Sequence, residues 1–244
     1  MDESVYHLHY RQEESHWWFA ARSEIVRGII ESYGNLKPGD TILDIGCGTG
    51  AMMKELSEKY RTVGIDMSPI AVEYSKKRGL SDVFVMPVQE FPRENYNVRL
   101  AMMLDVIEHI DDDIDVLTSA REIVSPDGRV VVTVPAYMWM WGAHDLLHHH
   151  KRRYTAHTLR AALEKAGLEP IKLSYFNTLL FPLAAVKKLM DRGKTPSIDE
   201  VHLDQPSGLV NTIFKKVFAA ERGILPSTNL PFGVSLIAVA RPKR

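Results

Sequence analysis

The segment Asp44-Ile45-Gly46-Cys47-Gly48-Thr49-Gly50 joins an apolar run to a helical one, and Asp66 follows Gly46 by twenty residues. Glycine is needed where a backbone turns sharply and meets a ligand, because a Cβ would collide. An acidic side chain ending the second strand can accept hydrogen bonds from both hydroxyls of a ribose. Together these residues describe a nucleoside cradle. Gly46, Gly48 and Ala51 also satisfy the relaxed G-x-G-x-x-G/A dinucleotide pattern. Asp44 discriminates between the two, since a carboxylate suits a cofactor with a charged amino-acid tail and sits badly beside a pyrophosphate.

Other residues with chemical potential lie outside this loop. The run His144-Asp145-Leu146-Leu147-His148-His149-His150 precedes Lys151-Arg152-Arg153. His144 and His148 are four apart, but no H-E-x-x-H carboxylate accompanies them and adjacent helical histidines diverge, so no metal site is expected. Arg152 and Arg153 suit either an acceptor's phosphate or carboxylate or a solvated charge run. Near the start, His16-Trp17-Trp18-Phe19 precedes Arg22. These aromatics read as a core anchor for a helix or as a lid over the cofactor, with Arg22 a clamp on a carboxylate. Cys47 is the one cysteine, which excludes an intramolecular disulfide and a multi-cysteine metal site.

The elements that must position these residues alternate. Strands are expected at Thr41 to Ile45, Arg61 to Ile65, Val83 to Met86, Val98 to Leu104, Arg129 to Val134, Ile171 to Tyr175 and Val234 to Ala240. Helices fall between, at Met52 to Tyr60, after the Ser68 cap and Pro69 up to Gly79, at Asp113 to Val124, and from Thr155 to Gly167. Ser125-Pro126-Asp127-Gly128 reads as a turn. The expected fold class is α/β, a Rossmann-like, seven-stranded, mostly parallel sheet with helices on both faces. Residues 1–36 form an N-terminal helical arm or lid, 37–176 and 233–244 the cofactor-binding domain, and 177–232 a helical insertion before the last strand.

With 244 residues, 45% hydrophobic, the chain can bury one substantial core. A net charge of -1 gives no global basic excess, so nucleic acid is not an expected partner. Met1-Asp2-Glu3-Ser4 lacks the basic start of a signal peptide, and Thr178 to Val186 is too short to span a bilayer. A cytoplasmic location is expected. Within the insertion, Leu179, Leu183, Val186 and Leu189, then Val210, Ile213, Phe214 and Val217, form apolar faces beside Lys187, Lys188, Lys215 and Lys216. Residues 179–222 therefore suit a substrate cap, peripheral contact with an anionic membrane, or a homodimer face.

Ile42 to Gly50, Val63-Gly64-Ile65-Asp66-Met67-Ser68, Leu104 to Ile110 and Ser125 to Val130 closely resemble, in order and spacing, the motifs of class I S-adenosylmethionine-dependent methyltransferases. The His16 to Arg22 arm resembles a subgroup described as methyltransferase-domain proteins. The resemblance implies that Asp44 and the backbone of Gly46, Cys47, Gly48 and Gly50 hold the methionine part of S-adenosylmethionine, Asp66 its ribose and Met67 its adenine. It implies a contact from Leu104 to the amino group, and Trp18 and Arg22 as lid and clamp. Where the family often has an aspartate on the adenine amino group, this chain has Pro87; Val88 and Gln89 are the expected substitutes.

A sulfonium is already an activated electrophile, so the protein must chiefly align a nucleophile and exclude water. For a hydroxyl acceptor a base helps, and His109 follows the fourth strand near the expected methyl position. His144 and Asp145 are its competitors. The expected function is methyl transfer to a small-molecule or lipid-linked acceptor, by O-methylation, with S-adenosylhomocysteine as the other product. The alternatives are a non-catalytic S-adenosylmethionine-binding protein and an NAD-linked oxidoreductase.

Overall fold

The computed structural model describes residues 3–191 and 206–243; the part of the insertion between them lies outside the described residues. Seven strands form one sheet in the order β3-β2-β1-β4-β5-β7-β6. The strands are β1 (Thr41–Ile45), β2 (Arg61–Asp66), β3 (Val83–Val85), β4 (Val98–Leu104), β5 (Val124–Pro135), β6 (Leu168–Phe176) and β7 (Ser235–Pro242). β7 runs antiparallel to both its neighbours and the remaining pairings are parallel. The helices are α1 (Glu3–Gln12), α2 (Trp17–Tyr33), α3 (Ala51–Leu56), α4 (Pro69–Lys77), α5 (Asp113–Ile123), α6 (Ala143–Leu147), α7 (Ala156–Lys165), α8 (Phe181–Met190) and α9 (Gly208–Ala219).

Apolar residues on both sides of each strand explain why the sheet is covered on both faces. On β1, Leu43 and Ile45 join one core, with Val116 and Leu117 of α5 and Leu159 and Leu163 of α7. Ile42 joins the other, against Ile25 and Ile29 of α2 and Met53 of α3. Helix punctuation follows the sequence closely at α4. Ser68 caps it, Pro69 opens it, and Gly79 just beyond takes φ 88°.

Strand order reverses between β2-β1 and β4-β5, which opens a crevice at the carboxyl ends of β1 and β4. The glycine loop after β1 and the residues after β4 therefore face one another. The largest differences from the expected boundaries fall at β5 and α3. β5 begins at Val124, because the register passes from Val98↔Val124 to Leu100↔Arg129. Ser125 to Gly128 is thus a bulge within the strand, held by Arg99 through Ser125 and Asp127. α3 ends early at Leu56.

The insertion leaves the sheet at the same end as the cofactor loop, since Phe176 and Pro135 both pair with Ser235. Its second helix is built into the core. Phe218 is fully buried and stacks with Phe176 at 5.9 Å, while Trp17 packs edge-on to Phe214 at 5.4 Å. Just beyond α9, the buried Glu221 carboxylate accepts backbone N–H bonds from Asn177 (2.7 Å), Thr178 (2.7 Å) and Leu179 (2.9 Å). Removing that acceptor strands three donors. Glu221→Ala is expected to destabilise the protein by about 2–3 kcal/mol in urea unfolding. A loss below about 0.5 kcal/mol would mean that water replaces the carboxylate.

Candidate active site

The glycine loop takes its shape from two backbone bonds and two crowded glycines. The N–H groups of Gly46 and Cys47 donate to the Ile65 carbonyl at 2.8 and 3.1 Å, which folds the loop back onto β2. Gly46 has φ 73°, and a Cβ there would lie 2.7 Å from Val106; at Gly50, φ 81°, it would lie 2.6 Å from the Ser75 hydroxyl. Gly48 has φ 55° with open space where its Cβ would be. The loop is thus closed below by packing and open above, toward the crevice.

Asp66 is held by that loop. Its Oδ2 accepts from the Gly48 N–H at 2.9 Å and its Oδ1 from the Ser68 N–H at 2.8 Å. Each oxygen keeps a lone pair for a hydroxyl group. Met67 beside it is 68% exposed, an apolar surface at the rim of the crevice. Asp44 is buried, and burial pushes its carboxyl up to about 8, opposed by Arg22 and reinforced by Asp66 and Glu13. A carboxylate in this position is a costly ion until a cation reaches it. Cys47 is buried with its thiol raised by the same desolvation and by nearby Asp44 and Asp66, so it is a poor nucleophile.

Arg22 reaches the crevice from α2. Its guanidinium pairs with Asp105 at 2.5 Å, donates to the Thr133 hydroxyl at 3.2 Å, and lies 5.2 Å from the Trp18 ring centroid. Among the described residues its buried Nε has no hydrogen-bond partner. Leu104 ends β4 directly before Asp105, which takes φ 59°. On the adenine side, Val88 is buried and Gln89 donates to Asp115 at 2.6 Å. That bond commits its amide to α5.

Within the helical arm, the sequence points to the His16 to Arg22 run as the cover, whereas α1 is the part that meets the glycine loop. Glu13, just past the end of α1, hydrogen-bonds the Thr49 hydroxyl, and Tyr6 lies beside Ser68 and Asp66. Arg78 fastens the arm, donating from Nε to the Thr49 carbonyl (2.7 Å) and from Nη2 to the Tyr10 carbonyl (3.0 Å) and Glu13 (3.1 Å). The segment that covers the glycine loop is therefore α1. Tyr6, Tyr10 and Glu13, spaced four and three, were the available signal for a face of a helix. The Trp17-Trp18-Phe19 run instead opens α2.

Opposite the glycine loop, the turn after β4 carries Glu108 and His109. Lys151 N–H donates to the Glu108 carbonyl at 2.8 Å and Arg152 to the Asp111 carbonyl at 2.8 Å, which staples the histidine-rich segment onto that turn. His109 meets His150 edge-on, with centroids 4.6 Å apart, and desolvation with the nearby His150 lowers its imidazole to about 4. His144 stacks on His148 at 4.1 Å and is lowered to about 4 by burial. Asp145 is fully buried. It receives Arg153 through Nε (2.7 Å) and Nη2 (2.9 Å), faces His150 Nδ1 at 2.8 Å, and accepts the Gly142 N–H at 2.7 Å. Four contacts from these three partners leave it little freedom to move a proton. Of the three candidate proton acceptors, His109 is the one on the turn that follows β4; His144 and Asp145 form the layer behind it.

A reversed-order α/β sheet with an acidic, glycine-floored crevice is the methyltransferase variant of the Rossmann-like fold. A methyltransferase-domain family model matches residues 16–173, and the chain belongs to that family. Its cofactor is S-adenosylmethionine. A ubiquinone biosynthesis O-methyltransferase of Dinoroseobacter shibae is 28% identical over 69% of this chain and 77% of its own length. A 37.1 kDa transposon protein of Streptomyces fradiae is 31% identical over 48% of this chain, and phosphoethanolamine N-methyltransferase 1 of Zea mays 31% over 46%. The chain spans only 35% and 23% of the lengths of those two relatives. In structure, an S-adenosylmethionine-dependent methyltransferase of Archaeoglobus fulgidus is similar with TM-score 0.56 at 18% identity, covering 90% of this chain and 92% of its own. Geranyl diphosphate C-methyltransferase of Streptomyces coelicolor, in complex with S-adenosyl-L-homocysteine, gives 0.59 at 15% identity over 91% of this chain and 78% of its own.

Proposed function

We propose that this methyltransferase transfers the methyl group of S-adenosylmethionine to a hydroxyl oxygen on a small or lipid-linked acceptor. The observation that carries this reading is the imidazole group of His109 after β4, across the crevice from the glycine loop. Asp44 takes the amino group of the methionine tail, Arg22 its carboxylate and Asp66 the ribose hydroxyls, in a crevice whose acidic side chains suit the fixed positive charge of the sulfonium. The acceptor O–H proton passes toward the His109 side as the O–CH3 bond forms. The S–CH3 bond breaks with its electron pair on sulfur.

An apolar acceptor finds matching surface at the mouth. Trp139 is 49% exposed and packs edge-on to Phe181 of α8, which also meets Phe232 at 5.4 Å. Leu183, Val186 and Leu189 of α8 and Leu209 and Ile213 of α9 are exposed beside basic residues. Among the described residues no helix is long and apolar enough to cross a membrane. These faces support peripheral contact with an anionic lipid surface from which a lipid-linked acceptor is drawn. A homodimer covering the same faces would show as a doubled mass in solution.

Purified protein, incubated with deuterium-labelled S-adenosylmethionine and cell extract, is expected to label an ether oxygen in an apolar molecule. Label found only on amines, or S-adenosylhomocysteine never formed with any extract, would overturn the reading.

A further inference from the structure

Glu108, in the turn after β4, is fully buried, and among the described residues neither of its carboxylate oxygens has a hydrogen-bond partner. A buried polar atom without a partner costs about 1–3 kcal/mol, and more when it is a carboxylate. An ionised carboxylate in that position is stabilised by a cation beside it. Two histidines stand around it: a ligating atom from each of Glu108, His109 and His150 lies within 4.8 Å of the others.

The surroundings of these three residues are those of a cation site. His150 Nδ1 is held by Asp145 at 2.8 Å, and Asp145 is itself fixed by Arg153 and the Gly142 N–H. A carboxylate on one ring nitrogen orients the other and makes it a better donor, as it does behind metal-bound histidines. Nε2 of His150 is thereby left to coordinate. The two chain segments that supply the ligands are stapled by the Lys151 N–H on the Glu108 carbonyl and the Arg152 guanidinium on the Asp111 carbonyl. The positive charges nearest the cluster are already answered, Arg153 by Asp145 and Arg22 by Asp105.

We propose that Glu108, His109 and His150 bind one divalent first-row transition-metal ion, of the zinc, manganese or iron class. Two imidazoles and one carboxylate are the donor set such ions take, and three protein ligands leave positions open toward the crevice. Closing the ligand atoms to bonding distance needs side-chain shifts of about 1 Å, since such bonds are about 2.0–2.2 Å long. The ion's use rests on the hydroxyl-acceptor reading. With the ion bound, an acceptor oxygen on an open position would lose its proton to solvent more readily and His109 would serve the hydroxyl acceptor as a ligand; without the ion it stands as the base. Binding of the ion itself is independent of that reading.

The test uses the full chain freed of metal by chelation and titrated calorimetrically with Zn2+, with Co2+ as a spectroscopic probe. One ion per chain is expected, with a visible Co2+ band from a four- or five-coordinate site. Glu108→Gln and His150→Ala are each expected to weaken Zn2+ at least tenfold, and Asp145→Asn about tenfold through His150. His144→Ala is expected to leave Zn2+ affinity within twofold. S-adenosylmethionine affinity, measured on each variant, shows that it has folded. Weak, multiple Zn2+ binding unmoved by Glu108→Gln, or binding lost with His144→Ala instead, would overturn the proposal. Because no acceptor enters this titration, its failure leaves the hydroxyl-acceptor reading standing, and that reading fails only on the labelled product.

Discussion

Asp44→Asn is expected to weaken S-adenosylmethionine about a hundredfold and, in the same protein, to raise the melting temperature of the cofactor-free form at pH 8. Loss of a charge-assisted contact to the methionine amino group is worth about 3 kcal/mol, which gives the affinity figure. The stability gain follows from burial. The folded protein holds the Asp44 carboxyl at about 8, against about 3.9 in an unfolded chain. A carboxyl raised on folding favours the fold at low pH, and that contribution fades as pH climbs from about 4 to about 8. At pH 8 ionising Asp44 costs the cofactor-free fold on the order of 5 kcal/mol as an upper bound. Asparagine removes that cost, which corresponds to a rise of roughly 5 °C or more. By the same linkage, cofactor binding below pH 8 releases a proton, visible calorimetrically as a dependence on buffer ionisation heat that Asp44→Asn removes. A variant that loses affinity without gaining stability would mean that Asp44 is already paired in the free protein.

The opposite sign is expected at Asp145. Burial alone would raise its carboxyl, but hydrogen bonds from His150 and Arg153 and the Arg153 charge hold it well below the usual carboxylate range. Its contribution is therefore present above the ordinary aspartate pKa and is lost as pH falls through the acid range. Asp145→Asn leaves Arg153, whose side chain is 10% exposed, without its counter-charge. Breaking a buried pair by removing one partner costs about 3–5 kcal/mol. Denaturant unfolding at pH 7 measures it, and the wild-type advantage should shrink toward acid pH. A cost under about 1 kcal/mol would show that water enters and serves Arg153.

These two aspartates mark how far the sequence could be read. Asp44 and Asp66 were legible because a strand, a tight turn and a fixed spacing place them, all local features. β1 and β4 fall where their apolar runs put them, and the Ser68-Pro69 start of α4 is a local signal too. Asp145 was not legible in the same way. Beside His144 it suggests proton transfer, yet its partner is Arg153 across a loop whose shape no local pattern states. Glu108 reads as an ordinary residue before a helix until the fold shows its oxygens buried and unpartnered. The sequence speaks against a metal at His144 and His148, and no local spacing signals the cluster of Glu108, His109 and His150. The fold assembles it instead from the turn after β4 and the end of the histidine run. In the arm, the bulky aromatics drew attention to Trp17 and Trp18, while α1, a more polar segment, lies over the loop.

The central claim is that one acidic, glycine-floored crevice receives the adenosyl cofactor. A crystal structure of the chain soaked with S-adenosylhomocysteine tests it most directly. The account predicts the cofactor's amino group on Asp44, both ribose hydroxyls on Asp66 and the adenine against Met67. A ligand seated elsewhere, or bound with the side chains of residues 44 and 66 turned away from it, would contradict the account.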